Sequence, residues 1–463
     1  MCGILFAHHN GNTIVVQALK THYQAMLDTI RYRGPDGINE LREPNWLFIH
    51  SLLSLTGTRS QPVECGDWCF GYNGEFYDDW QNYDGDYGDA DYFATRLRED
   101  GLDALARVDG EFSLCLFDRA QKRLYLATDP FGTKPLYYAL SADYCLVGSY
   151  DATIQAADLP TEAVQVPANH LLEIDLKTYR LAASRLLRPF DFSNQTIDSL
   201  EPWQSAFEQA MRKRTANCRE KLFVSLSSGH DSGLIAAELL ANNTQFHIYS
   251  VPFAEVRETL DARLKILRQR GILCDSFDIG QKQASQMSEY LHRTLPFYSL
   301  KDPDDPTVHY QGSQDLRDVP GYLALAHICR RASDTGQRIY LSGQGVDEIY
   351  SDYFNSYTNS RRSVFRGNWT RMNGPWSNFY GGWNRLFLGG AERIAGHFGI
   401  ESRYPFLDHA AVQAFLNQTP ELKSHSYKYS LSQRLEWLRF PYHNRKIGFT
   451  GFSSTDYGYR TTE

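Results

Sequence analysis

The chain has 463 residues, of which 42% are hydrophobic, 22% charged and 14% aromatic, a balance too apolar for a disordered polypeptide and too varied for a fibrous one. Its 47 Lys and Arg against 55 Asp and Glu leave a formal net charge of −8, which repels phosphate backbones and argues against nucleic acid as a partner. No apolar run reaches the roughly 18 residues of a spanning helix, and no basic region precedes the short apolar stretch from Gly3 to Ala7. A cytoplasmic protein with no membrane partner is therefore expected, and the eight dispersed cysteines read mostly as reduced, buried thiols.

The length is about three times that of a usual domain, so two domains are expected. Over the first 180 or so residues, short alternating segments recur at Trp46 to Leu55, Phe112 to Phe117, Arg123 to Ala127 and Pro135 to Leu140. Helical spacing occurs at Gln17 to Ile30 and at Asp91 to Ala106. Many strands with few helices predict stacked antiparallel sheets flanked by helices. A polar stretch, Arg185 to Asp198, reads as the linker. Beyond it the rhythm becomes strand, loop, helix. Leu222 to Leu226 leads into a small-residue loop and an apolar helix from Asp231, and Phe246 to Val251, Thr259 to Arg270 and Ile272 to Phe277 continue the pattern. That alternation predicts a parallel α/β sheet. Gly321 to Ala332 and Arg338 to Leu341 lead to a second Gly-rich loop, and Tyr350 to Trp383 lacks a clear period and predicts irregular surface or lid structure.

Cys2 follows Met1 directly, and a small second residue suits methionine removal. A freed α-amine beside a thiol joins base and nucleophile in one residue. Downstream come Arg33-Gly34-Pro35-Asp36-Gly37, Asn73-Gly74-Glu75-Phe76-Tyr77 and Asp129-Pro130-Phe131-Gly132-Thr133-Lys134-Pro135-Leu136-Tyr137. In this order and spacing these blocks resemble the glutaminase domain of class II glutamine amidotransferases, which has an N-terminal-nucleophile αββα fold. The resemblance makes Cys2 the nucleophile and gives the oxyanion hole to Asn73 and Gly74, donors of the kind a developing negative oxygen requires. It assigns the amine end of glutamine to Glu75 and Asp89. The family's carboxylate-clamping arginine, within a His-x-Arg-Leu-Ser segment, is replaced here by Leu52 in His50-Ser51-Leu52-Leu53-Ser54. Arg59, in the shortened turn before Gln61-Pro62, is the candidate replacement.

Ser225-Leu226-Ser227-Ser228-Gly229-His230-Asp231-Ser232 follows an apolar strand and opens a helix, an architecture suited to phosphate. It has neither the Walker loop's Gly-Lys-Ser/Thr nor a dinucleotide fingerprint. It resembles the Ser-Gly-Gly-x-Asp-Ser loop of ATP pyrophosphatases, with Ser228 for the first glycine and His230 for an apolar residue. Leu341-Ser342-Gly343-Gln344-Gly345-Val346-Asp347-Glu348, Glu401-Ser402-Arg403-Tyr404-Pro405-Phe406-Leu407-Asp408 and Arg445-Lys446-Ile447-Gly448-Phe449 are similar to segments of the asparagine synthetase family, with Gln344 for its glutamate. Lys428 matches a further lysine of that family.

The resemblance implies an α/β two-domain protein, with a glutamine amidotransferase domain at 1–187, a linker at 188–199 and a parallel, PP-loop synthetase domain at 200–463. It implies ATP and Mg²⁺. Leu226, Ser227, Ser228, Gly229, Asp231, Ser232, Val251, Ser342 and Gly343 would hold ATP and its pyrophosphate. Asp231 and Asp347 would hold the metal, a task suited to one or two carboxylates plus substrate oxygens. Lys446 and Glu348 would serve catalysis. The implied reaction is a carbon–nitrogen ligation in which ammonia from glutamine passes through a channel to an acyl-adenylate. Aspartate is the default acceptor, and Gln344 leaves a specialised carboxylate open. An intramolecular or ammonia-using amide synthetase and a non-catalytic homologue are the alternatives. The partners are small molecules, and the resemblance leaves room for a homodimer.

Overall fold

Period-two alternation in the N-terminal segments builds two antiparallel sheets. The computed structural model describes residues 1–57, 59–83, 87–216, 218, 220–301, 313–353 and 363–444. The chain divides into two units, Met1–Pro189 with Gly396–Glu401, and Phe190–Ala216 and Glu220–Ala395 with the residues from Ser402 onward.

Among the described residues the first unit holds twelve strands: β1 (Gly3–His9), β2 (Gly37–Glu43), β3 (Trp46–Leu52), β4 (Val63–Cys65), β5 (Trp68–Phe76), β6 (Gly110–Asp118), β7 (Arg123–Thr128), β8 (Tyr137–Leu140), β9 (Tyr144–Gly148), β10 (Val164–Gln165), β11 (His170–Asp175) and β12 (Arg180–Leu186). They form two six-stranded sheets, ordered β10-β8-β9-β1-β3-β2 and β12-β11-β7-β6-β5-β4. Ile4, Phe6 and Phe48 of one sheet join Cys115, Phe117 and Leu126 of the other in one buried cluster, so the sheets pack face to face. Helices α1 (Thr13–Thr21) and α2 (Tyr23–Asp28) cover the outer face of the first sheet, α3 (Asp89–Asp100) and α4 (Ala104–Arg107) that of the second, and α5 (Asp151–Gln155) returns to the first. This is the expected αββα layering. The single helix predicted over Gln17 to Ile30 is two helices, and the first starts earlier because the Asn12 side chain caps it by accepting the Ile14 N–H at 3.0 Å. The polar stretch from Arg185 begins inside β12, whose seven side chains are all exposed. An edge strand with no buried face has no alternation to read.

The second unit carries a five-stranded sheet ordered β15-β14-β13-β16-β17, from β13 (Lys221–Ser225), β14 (Phe246–Ser250), β15 (Leu273–Ser276), β16 (Gln337–Leu341) and β17 (Glu401–Arg403). β13 runs parallel to β14 and β16, and β14 parallel to β15. Helices α6 (Glu201–Thr215), α7 (His230–Ala241), α8 (Arg257–Gln269), α9 (Gln281–Thr294) and α10 (Pro320–Asp334) alternate with these strands, followed by α11 (Ser377–Tyr380), α12 (Gly382–His397), α13 (His409–Leu416), α14 (Pro420–Ser424) and α15 (Tyr429–Trp437). The aromatic stretch predicted as surface is interior in its described part. Phe365, Trp369, Trp376 and Phe379 are buried, and ring pairs such as Trp369–Phe415 at 5.3 Å and Trp376–Phe379 at 4.7 Å knit it together. Rings this large bury much area without any helical or strand period. Among the described residues no helix is long and apolar enough to cross a membrane.

Asp408 closes the Pro-Phe-Leu-Asp segment and ties three elements. Its Oδ1 accepts the Ala410 and Ala411 N–H groups at 3.0 and 3.3 Å, capping α13, while its Oδ2 accepts from Arg214 Nη1 at 2.9 Å and pairs with Lys213, both on α6. Burial works against the ionised form, but Lys213 and Arg214 hold this carboxyl well below the usual range. Removing one member of a buried ion pair leaves uncompensated charge, at about 3–5 kcal/mol. Asp408→Ala is expected to lower the stability of the second unit by about that amount, read as a shift of its urea unfolding midpoint.

Candidate functional site

In the first unit, Cys2 precedes β1 and is buried. Its backbone N–H donates to Asn73 Oδ1 at 3.0 Å, and its Sγ lies 3.4 Å from the Leu53 N–H, which donates to it. Asn73 sits on β5, fully buried, and among the described residues its Nδ2 has no hydrogen-bond partner. An idle buried amide donor costs about 1–3 kcal/mol, so this atom is poised for a ligand. Gly74 follows at φ +114°, and a Cβ there would lie 1.8 Å from the Glu111 carbonyl oxygen. Glycine alone fits this register of β5 against β6.

The Arg33 segment acts from beneath. The guanidinium, 1% exposed, donates from Nε to the Cys2 carbonyl at 2.8 Å and from Nη2 to the Met1 sulfur at 3.2 Å, and also bonds Tyr150. A Cβ on Gly34 would lie 2.2 Å from the Ser51 backbone, which explains the Arg-Gly pair. Burial pushes the Cys2 thiol up to about 12 and lowers the Met1 amine to about 5. Desolvation penalises both charged forms.

Asp89 opens α3 and is buried. It accepts the Phe76 N–H at 3.2 Å and bonds the Tyr72 hydroxyl. Burial raises its carboxyl to about 7. Glu75 is buried too, and both charges raise the Tyr72 hydroxyl further after its own burial. Two buried carboxyls beside a buried phenol suit an ammonium ligand. Arg59, in the loop between β3 and β4, has its Nη1 paired with Asp91 Oδ1 of α3 at 2.5 Å. Glu401, from a segment matched to the synthetase family, groups with this unit and opposes ionisation of Cys2 and Asp89.

In the second unit the loop between β13 and α7 is held on itself. Ser232 Oγ accepts the Ser227 N–H at 3.0 Å, and Ser227 Oγ accepts the Gly229 N–H at 3.1 Å. Ser228 donates its N–H to Glu255 Oε2 at 2.6 Å, and its hydroxyl bonds the same oxygen. Leu226 and Val251 are buried at the adjacent strand ends. Gly343 brings the second loop against the first, since a Cβ there would lie 2.7 Å from Asp231 Cβ. Ser342 donates its N–H to the Arg403 carbonyl at 2.9 Å.

Asp231 and Asp347 converge on one cation, Lys428. Its Nζ lies 2.7 and 2.8 Å from the Asp231 oxygens and 2.8 Å from Asp347 Oδ1, which also accepts from the Tyr427 hydroxyl at 3.0 Å. Burial alone would lower the lysine, yet the two carboxylates hold it well above its ordinary value. Carboxylate oxygens are the ligands a magnesium ion takes, and here these oxygens are engaged by the ammonium of Lys428. Lys428 is a buried member of this cluster that motif matching undervalued; nothing in its local sequence tells that its ammonium is buried. Glu348 is buried with its carboxylate on the Tyr353 hydroxyl and its carbonyl accepting from Trp376 Nε1 at 2.9 Å. Gln344 Nε2 donates to the Phe387 carbonyl at 3.4 Å. Lys446 lies outside the described residues.

The fold defines an N-terminal-nucleophile amidotransferase domain joined to an α/β domain with a phosphate-type loop. Residues 1–182 match the glutamine amidotransferase domain family and residues 203–387 the asparagine synthase family. The chain is 25% identical to a probable glutamine-hydrolyzing asparagine synthetase of Schizosaccharomyces pombe, over 91% of this chain and 77% of that one. It is 24% identical to asparagine synthetase 1 of Saccharomyces cerevisiae over 91% and 77%, and 26% identical to a probable one of Acanthamoeba polyphaga mimivirus over 93% and 80%. The chain thus matches a glutamine amidotransferase domain followed by an asparagine synthase segment, and is similar over nine-tenths of its length to glutamine-hydrolyzing asparagine synthetases.

Asp89 gives a stability test. Burial raises its folded-state carboxyl from the ordinary carboxylate value near 3.8 to about 7, so the folded state favours the protonated form, and that contribution is lost as pH rises from about 4 to about 7. Asp89→Asn is expected to raise the thermal midpoint at pH 8, with the gain vanishing toward pH 4; an equal gain at both pH values would contradict this.

Proposed function

We propose that the protein makes asparagine from aspartate, with glutamine as nitrogen donor and ATP as activator. Residues 1–187 form the glutaminase and 200–463 the synthetase, joined by 188–199. The observation that carries this reading is the idle, buried Asn73 Nδ2 beside Cys2, in a chain that matches both component families.

With Met1 removed, the α-amine at Cys2 lies in a desolvated setting that keeps it neutral near pH 7, so it takes the thiol proton. The sulfur attacks the glutamine amide carbon, and Asn73 Nδ2 and the Gly74 N–H stabilise the oxyanion. Ammonia leaves with the returned proton, and water hydrolyses the thioester to glutamate. Glu75 and Asp89 hold the glutamine ammonium. Arg59 serves its carboxylate at the rim, with its charge shared by Asp91. In the synthetase, an aspartate carboxylate oxygen attacks the α-phosphorus of ATP and pyrophosphate departs. Ammonia then attacks the acyl carbon and AMP departs. Leu226, Ser227, Ser228, Gly229, Asp231, Ser232, Val251, Ser342 and Gly343 hold the nucleotide, and Glu348 and Lys446 act at the acyl centre. Asp231 and Asp347 would hold Mg²⁺, which would supply charge neutralisation at the phosphates. A cytoplasmic location is part of the proposal, supported by the buried free thiols of Cys65, Cys69, Cys115, Cys145 and Cys329.

Gln344, a neutral amide where the family has a carboxylate, favours a second reading in which the acceptor is another carboxylate. Assay of AMP and pyrophosphate release with glutamine, ATP and a panel of carboxylates separates the two. Aspartate is expected to give the fastest turnover, and silence with aspartate alone transfers the assignment to the responding acid.

Cys2→Ala is expected to abolish glutamine-dependent synthesis and spare synthesis from ammonium; loss of both would contradict two separable sites. Asn73→Ala is expected to lower glutaminase kcat by about 10²–10³-fold. Lys446→Ala is expected to slow synthesis from either nitrogen source, and unchanged turnover at saturating ammonium removes it from the acyl centre.

A further inference from the structure

Arg263, on α8, has no exposed surface. Its guanidinium serves three backbone carbonyls: Nη1 donates to Ser227 O and Gly229 O at 2.7 Å each, and Nε donates to Pro441 O at 2.7 Å. Two of these acceptors belong to the phosphate-type loop. The third lies five residues before Lys446 in the chain. The guanidinium lies against α7 at Gly233, where a Cβ would stand 2.5 Å from Cζ and 2.6 Å from Nη1.

Burying a cation among neutral acceptors is costly. Burial lowers this guanidinium to about 10, with Glu255 and Asp231 opposing. What the arrangement achieves is directional. Peptide groups whose carbonyls turn toward a cation on one side present their N–H groups on the other, and successive N–H groups so aligned make an anion-binding concavity. The Ser228 N–H already shows this polarity, since it points to an anion, the Glu255 carboxylate.

We propose that Arg263 is the positioning residue of the pyrophosphate loop. By drawing the Ser227 and Gly229 carbonyls beneath the loop it aims the loop's amides at the phosphates, and through Pro441 it ties that loop to the segment leading to Lys446. It does not touch the substrate. The proposal rests on the nucleotide reading of the loop, and the experiment keeps the two apart.

The test uses the full chain with magnesium pyrophosphate as calorimetric probe, alongside steady-state synthesis from ammonium. Arg263→Met removes all three bonds. Gly233→Ala leaves Arg263 in place but drives its flexible end away, so it covers the case in which Arg263→Met fails to fold. Both are expected to weaken pyrophosphate binding and raise the KM for ATP at least tenfold, with the KM for ammonium unchanged. Arg263→Lys, which keeps charge but not the fork of donors, is expected to recover only part. The double variant is expected to equal Arg263→Met, because the two changes remove one interaction. A purely structural role would lower the active fraction, and so kcat, without moving the KM for ATP. That outcome, or wild-type pyrophosphate affinity in Gly233→Ala, overturns the proposal. A wild-type protein that binds neither pyrophosphate nor ATP overturns the nucleotide reading with it.

Discussion

The buried ammonium of Lys428 between Asp231 and Asp347 is the constraint on which the second unit depends. Asp231 comes from the first turn of α7, Asp347 from the short π-helical turn Val346–Tyr350 after β16, and Lys428 from the residue before α15. Three distant stretches of chain are thus drawn to one point by opposite charge in a poorly solvated place, where each pairing is stronger than at the surface. Gly343 permits the approach, since a side chain there would meet Asp231. Lys428 itself takes a left-handed backbone conformation, φ +51°, which a lysine rarely adopts and which the surrounding bonds hold in place.

The first unit uses burial in the opposite sense. At Asp89 desolvation is the largest influence, and it raises the carboxyl to about 7. A thiol, an amine, two carboxyls and an idle amide are gathered where water is scarce. Such gathering is unfavourable for folding and useful for binding charge. The framework around it compensates with packed rings, including Phe76 on Phe93 at 4.6 Å and Phe70 on Phe93 at 5.0 Å.

Much of this was legible in the sequence because period and motif are local. The alternation around Phe112 to Phe117 became β6, and the small-residue loop after Leu226 did open a helix at His230. The roles of the motif residues remain expectations of chemistry rather than of pattern. What stayed hidden is non-local. The exposed edge strand β12 has no buried face to leave a signature. The ring cluster around Trp369 has no period. Arg263 and Lys428 look like ordinary surface cations in a string of letters, and only the fold reveals that both are buried. Asp408, read as the end of a motif, is a helix cap and ion-pair partner.

The adjacent residues Asn73 and Gly74 answer to different pressures. Gly74 is compelled by the backbone alone, since any side chain would collide with Glu111 across the β5–β6 ladder. A lineage that lost its chemistry would keep this glycine as long as it kept the sheet. Asn73 is the reverse: its oxygen serves the Cys2 N–H, but its Nδ2, without a partner among the described residues, burdens the fold, so drift without function would favour a residue that keeps an acceptor and drops the idle donor. In comparing descendants of this scaffold, the glycine therefore records ancestry, and the asparagine records use.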